Sequence, residues 1–250
     1  MSRAVRGERI WVVGASSGIG AELARELVRR GAVVAISGRR TDELDTVSSG
    51  DMVTVPLDVT DTAAVDAAAA TVRERLGGID TVIHSAGYWK QFDAATWDRE
   101  VFARHVEVNL LGLNNVLAAV VPGLVAQGSG HVVGIASVAG YRGLAGSEAY
   151  GATKAAQLNL LEAMRASLSP RGVRVTTVAP GFVRTEMTSV NDFPMPFLID
   201  ADEAARTIAD GLERGYENIV FPKRMAVAAS VARLVPGRVW TALSTRGARA

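Results

Sequence analysis

The chain contains no cysteine, which excludes disulfides and thiolate metal sites and removes any need for an oxidising compartment. Histidine is almost as scarce. His84, His105 and His131 stand far apart, without the paired spacing or carboxylate partners of a metal site, and no nucleophile turn accompanies them as a hydrolase triad requires. His84 reads instead as a hydrogen-bonded residue at a strand end, and His131 as a strand-entry residue. Long apolar runs are missing too, none reaching the roughly eighteen residues of a spanning helix. Behind Arg3, Arg6 and Arg9 the run at 10–13 is too brief for a signal-peptide core. A reducing cytoplasm fits these absences. A large charge of either sign is also lacking, the net being +1, which disfavours nucleic acid as a partner.

What is present is a folded-protein composition, 48% hydrophobic and 21% charged, over 250 residues that one α/β domain would fill. Val- and Ile-rich runs at 10–13, 33–36, 53–57, 81–83, 132–135 and 173–178 alternate with segments of helical period at 21–30, 62–76, 98–121, 149–168 and 201–214. Continuous apolar strands indicate burial on both faces, so this alternation predicts right-handed βαβ units: a doubly wound parallel sheet of about seven strands with helices on both faces. One domain is expected over 1–222. Beyond it, residues 223–250 hold Lys223, Arg224, Arg233, Arg238, Arg246 and Arg249 and no acidic residue. A helix at 225–240, with Val227, Val231, Leu234 and Val235 on one side, would dock on the domain, on a partner subunit, or peripherally on an anionic membrane. The stretch 187–200, broken by Pro194 and Pro196, reads as a functional loop.

After the first strand comes Gly14-Ala-Ser16-Ser17-Gly18-Ile19-Gly20, opening directly into a helix. Glycines there let backbone approach a pyrophosphate, whose charge the helix amides would bind, although ordinary turns also collect glycine. No Gly-Lys-Ser/Thr follows, which excludes a P-loop. The second strand ends at Ser37-Gly38-Arg39-Arg40, without the carboxylate that selects NAD; Arg39, reinforced by Arg40, suits a 2′-phosphate and so NADP(H), or else the pair solvates an exposed turn. Asp58, followed by Val59, would bond the adenine amino group or cap the next helix.

Of four tyrosines only Tyr150 has a lysine four residues on, Lys154, one helical turn away on the same face. A nearby ammonium favours the phenolate, which makes tyrosine usable as acid or base. Ser137 ends the fifth strand, where open sheets bind ligands. Together with Ala86-Gly87, Asn109, Pro180-Gly181 and Thr185, these residues stand in the order and spacing of the short-chain dehydrogenase/reductase family, which the chain resembles from about Arg9 to Arg214.

The resemblance implies a Rossmann-like fold and reversible hydride transfer between NADP(H) and a carbonyl/alcohol pair. Tyr150 would move the proton, Ser137 hold the substrate oxygen, and Lys154 lower the Tyr150 pKa and hold the nicotinamide ribose. Asn109 would interrupt its helix and hold a water linking Lys154 to solvent. Ala86 and Gly87 would line the ribose, while the Val183 backbone and Thr185 would bind the carboxamide. A homodimer through the helices around Asn109 and Tyr150 is implied. Three departures stand out: Val13 where the family often has Thr, His84-Ser85 where it often has Asn-Asn, and Ile219-Val-Phe-Pro222 in place of a glycine-rich ending, which puts tetramer packing in doubt. Tyr88, Trp89, Val138, Tyr141, Leu144, Phe182, Met187, Phe193, Met195 and Phe197 indicate an apolar substrate, or ordinary loop packing. A nucleotide-sensing protein of the same fold that does no chemistry is the alternative; it would have no use for Tyr150 and Lys154.

Overall fold

The computed structural model describes residues 5–247; Arg3 and Arg249, two of the terminal basic residues, lie outside them. The described strands are β1 (Arg9–Val13), β2 (Val33–Ser37), β3 (Val53–Thr54), β4 (Thr81–His84), β5 (Gly130–Ile135), β6 (Val173–Pro180), β7 (Val183–Arg184), β8 (Ile199–Asp200) and β9 (Asn218–Phe221). Seven form one parallel sheet in the order β3-β2-β1-β4-β5-β6-β9, and β7 pairs with β8 apart from it. The chain starts in the middle, runs outward through β2 and β3, then returns to β4 on the other flank of β1. That reversal opens a crevice beyond the C-terminal ends of β1 and β4.

The helices are α1 (Gly18–Arg29), α2 (Thr41–Ser48), α3 (Thr62–Leu76), α4 (Arg99–His105), α5 (Gly112–Ala126), α6 (Glu148–Leu168), α7 (Ala201–Glu213), α8 (Lys223–Leu234) and α9 (Gly237–Gly247). Alternation along the strands divides the core in two. Ile10, Val12, Ile36 and Ile83 pack with Leu23 and Leu27 of α1 and Ile208 of α7. Trp11, Val13 and Val82 pack with α3, α5 and α6 through Val65, Leu113, Val116 and Leu161. Trp11 is fully buried, and its indole N–H donates to Ser37 Oγ at 2.9 Å, which satisfies the one polar atom it takes inside.

The strand expected at 53–57 is shorter, because Pro56 has no N–H for the ladder; Val55 and Leu57 still donate to Ile36 and Gly38 carbonyls. The helix expected at 98–121 runs from Arg99 to Ala126 through a π turn, Val106–Leu111, that contains Asn109. Counted through that turn it is long and apolar enough to cross a membrane, which the broken apolar run had not indicated; Leu113, Val116, Val120 and Leu124 are buried against the sheet. The single helix expected at 225–240 is two, separated at Pro236. Its expected apolar side is not docked: Val227, Val231 and Leu234 are 64%, 56% and 85% exposed. The tail instead meets the domain through Arg142, which donates to the Val235 carbonyl and lies over the Trp240 ring, while Trp240 donates to the Gly143 carbonyl.

Candidate active site

At the head of α1 the chain leaves β1 through Gly14, whose φ of +88° suits glycine alone; a Cβ there would lie 2.3 Å from the Ala86 nitrogen. The β1 turn and the β4 turn are thus pressed together, and a Cβ at Gly20 would run into the Gly14 carbonyl. Ser17 is the N-cap residue of α1, yet its side chain accepts no hydrogen bond from the helix, so the first-turn amides lack a side-chain cap. A Cβ at Gly38 would lie 3.1 Å from Ser16 Oγ, so a side chain there would crowd Ser16. Ile19 packs on the core, and a Cβ at Gly18 would lie 3.1 Å from the Thr185 methyl, so both walls of the crevice meet at this turn. Uncapped amides facing a crevice with no carboxylate at the end of β2 fit a dinucleotide.

The two arginines differ. Arg39 is exposed and, among the described residues, makes no hydrogen bond or ion pair, although its charge acts on Asp58. Arg40 is committed: it pairs with Glu43 and Glu186 and donates to Ser17 Oγ at 2.9 Å. Asp58 accepts from the Thr60 amide and hydroxyl, while Asp61 caps α3. Burial pushes the Asp58 carboxyl up, but the Thr60 bonds and the Arg39 and Arg104 charges outweigh it and hold the pKa below the usual value. Val59 is buried and its carbonyl accepts from Asn115.

Ser137, Tyr150 and Lys154 come together as the spacing predicted. Ser137 stands beside Tyr150 and favours its ionised form, Ser137 Oγ accepts from the Ala139 amide, and Lys154 Nζ lies 5.5 Å from the Tyr150 ring centre. The expected lowering of the Tyr150 pKa is absent. Burial raises it to about 12 against the pull of Ser137, and burial pushes Lys154 down to about 7. Water exclusion acts on both, holding each toward its neutral form.

Asn109 does interrupt its helix, but its side chain is spent on structure: Oδ1 accepts from the Tyr88 amide at 2.7 Å, and Nδ2 donates to the Tyr88 carbonyl and Thr153 Oγ1. The gap between its own carbonyl and Lys154 is spanned by Gln157, a residue passed over in sequence because a lone polar side chain in an amphipathic helix reads as surface. Gln157 is 1% exposed; Nε2 donates to the Asn109 carbonyl and Oε1 accepts from Lys154 Nζ at 2.9 Å. Lys154 also donates to the Ile135 carbonyl at 2.8 Å.

Gly87 sits between Asn109 and Met187, and Gly181 donates to the Phe221 carbonyl beside Pro180, whose carbonyl accepts from Ser137. Val183 is buried with its carbonyl accepting from Thr188, and Thr185 caps the turn Glu186–Thr188. Trp89 stands edge-on to Tyr150 at 5.2 Å and is tied to the 187–200 loop by its indole N–H, which donates to Asn191. His105 packs 4.7 Å from the Tyr88 ring, accepting from the Lys90 amide while its other nitrogen meets the Val101 carbonyl. His131 bonds Thr176 as a strand-entry residue. His84 departs from expectation: both ring nitrogens are buried without a hydrogen-bond partner, and burial, then the Lys154 charge, push its pKa down to about 3. Among the described residues no cluster of metal ligands occurs.

A parallel sheet with this strand order, an uncapped helix head at its crevice and a Ser-Tyr-Lys group beside it define a nicotinamide-dependent oxidoreductase fold. The chain belongs to the short-chain dehydrogenase/reductase family: residues 8–193 match the family model for short chain dehydrogenase. An uncharacterised oxidoreductase of Myxococcus xanthus is 37% identical over 242 residues, covering 94% of this chain and 95% of that protein. The glycine betaine reductase of Emericella nidulans is 38% identical over 186 residues, 72% of this chain but 15% of that protein's length. Among solved structures, a short chain dehydrogenase from Burkholderia cenocepacia in complex with NADP superposes with a TM-score of 0.82 at 29% identity, covering 97% of this chain and 98% of that one.

Proposed function

We propose that the protein is an NADPH-dependent carbonyl reductase acting on an apolar carbonyl compound. The observation that carries this reading is the grouping of Ser137 beside Tyr150, with Lys154 one helical turn along, in the crevice beside the uncapped head of α1. Tyr150, its pKa raised to about 12, is protonated at any working pH and is therefore poised as an acid. Its proton passes to the carbonyl oxygen as that oxygen gains charge, while Ser137 donates a hydrogen bond that orients the same atom. A nicotinamide dinucleotide held there would supply the hydride that the carbonyl carbon accepts. The residues that would hold it are Gly14, Ser16, Ser17, Gly18, Ile19 and Gly20 at the pyrophosphate, Arg39 with Arg40 at the 2′-phosphate, and Asp58 and Val59 at the adenine. Ala86, Gly87, Lys154, Pro180, Gly181, Val183 and Thr185 would hold the nicotinamide half. Arg39 supports NADP because it is a cation without a partner among the described residues, and the Burkholderia structure's complex with NADP points the same way.

Leu111 of the π turn is 49% exposed, and Ala118 of α5 with Ala152 and Ala155 of α6 are exposed, which supports a homodimer through these helices. The test of function is titration with NADPH and NADH by tryptophan fluorescence, then turnover on a carbonyl panel. NADPH affinity should fall about 10- to 100-fold in Arg39→Ala with NADH unaffected, since a charge-assisted phosphate contact contributes about 1.5–3 kcal/mol. Tyr150→Phe should abolish turnover while leaving NADPH bound. Binding without turnover on the panel would favour a nucleotide sensor, and binding of neither nucleotide would end both readings.

A further inference from the structure

The Gln157 amide can bridge Lys154 and Asn109 in only one orientation. A carbonyl oxygen accepts and an ammonium donates, so Nε2 must face Asn109 and Oε1 must face Lys154. The Asn109 carbonyl lies in the π turn, so the anchor of Gln157 is a backbone atom of the facing helix. We infer that Gln157 is a positioning residue of the catalytic centre, whose anchored side-chain oxygen opposes the loss of the Lys154 charge on burial and aims its remaining hydrogen at the Tyr150 side. The inference rests on the oxidoreductase reading above.

Lys154 is 3% exposed and has two fixed acceptors, the Ile135 carbonyl and Gln157 Oε1. Among the described residues no carboxylate bonds to it. The groups that face it are Tyr150 on its own helix, His84 from β4, which burial keeps neutral, the Ile135 carbonyl at the end of β5, and Gln157, whose amide reaches the Asn109 carbonyl in the π turn. A buried ammonium with one acceptor in place of two surrenders its proton more readily. Gln157 thus supplies a neutral dipole at a place where a carboxylate would over-stabilise the charge and a water would be free to turn.

The chain has three lysines, Lys90, Lys154 and Lys223, so carbon-13-labelled lysine gives a spectrum in which the buried Lys154 titrates apart from the two others. Gln157→Met keeps the side-chain length and removes the oxygen, whereas Gln157→Glu keeps an oxygen and adds charge. In the apoprotein the Lys154 midpoint should fall by about one pH unit in Gln157→Met and rise by about as much in Gln157→Glu. The upper-pH limb of kcat for carbonyl reduction should move the same two ways, with neutral-pH kcat of Gln157→Met about tenfold lower and KM little changed. A filler role would lower thermal stability in both variants and leave the midpoint in place. Midpoints that stay put, or move the same way in both variants, overturn the inference. A wild type that turns over no carbonyl instead sinks the oxidoreductase reading, and the lysine midpoints still decide the role of Gln157.

Discussion

At the residue scale the site is governed by close approach. Gly14 is held at a φ of +88° with the Ala86 backbone where a Cβ would stand, so Gly14→Ala must move either β1 or the β4 turn. Strain of this kind costs about 1–3 kcal/mol, and the displaced turn takes the first amides of α1 with it. Urea denaturation should show that loss, and NADPH affinity should fall at least tenfold in protein that remains folded. Wild-type affinity in the alanine variant would mean that the turn does not set the cofactor site. The Tyr150–Lys154 spacing and the Gly14–Gly20 turn were legible in sequence because backbone geometry alone dictates them. Gln157 was not, since its meaning comes from the Asn109 carbonyl, 48 residues away in the π turn. The raised pKa of Tyr150 was not legible either: proximity of an ammonium is visible in spacing, but the desolvation that raises it is not.

At the element scale, strands β1, β2, β4, β5 and β6 were legible because a sheet buried on both faces needs continuous apolar runs, whereas their order β2-β1-β4-β5-β6 is seen only in the structure, since right-handed crossovers permit more than one order. Helix α2 was not foreseen: it is short and polar, with only Leu44, Val47 and Ser48 buried. Nor is the lock between α1 and α7 visible in either segment alone. Arg30 donates to Glu26 on α1 and to Asp210 and Glu213 on α7, and Glu26 is 5% exposed. Truncation by Arg30→Ala strips the buried Glu26 of its helix-spanning partner while Arg29 stays beside it. Because Arg30 keeps some contact with solvent, the expected loss is about 1–3 kcal/mol, below that of a fully buried pair. Chemical denaturation of Arg30→Ala and of Arg30→Ala with Glu26→Gln should show the second substitution recovering part of the loss. A double variant as unstable as the sum of its parts would show that Glu26 does not depend on Arg30.

For the whole molecule, the buried imidazole of His84 couples folding to pH. Its pKa is about 3 in the fold, below the ordinary value of 6.5, because burial and then the Lys154 charge oppose the cation. In the unfolded chain it binds a proton as the pH falls through about 6.5, which the folded protein refuses until near pH 3, so between these values unfolding takes up a proton. Stability is therefore full above the unfolded pKa and drains away as the solution is acidified, by up to about 1.4 kcal/mol for each pH unit. Carboxylates held ionised in the fold, such as Asp58, lose their contribution only at lower pH, nearer their own titration. Replacing His84 by Asn, the residue the family often carries there, removes the titrating group while keeping a polar side chain of smaller volume. Denaturation midpoints measured between pH 7 and pH 4 should then fall steeply for the wild type and by about 1.4 kcal/mol per pH unit less for His84→Asn. Parallel curves would mean that the imidazole finds a proton-sharing partner when the protein is folded. The acid sensitivity of the whole fold would then belong to its carboxylates.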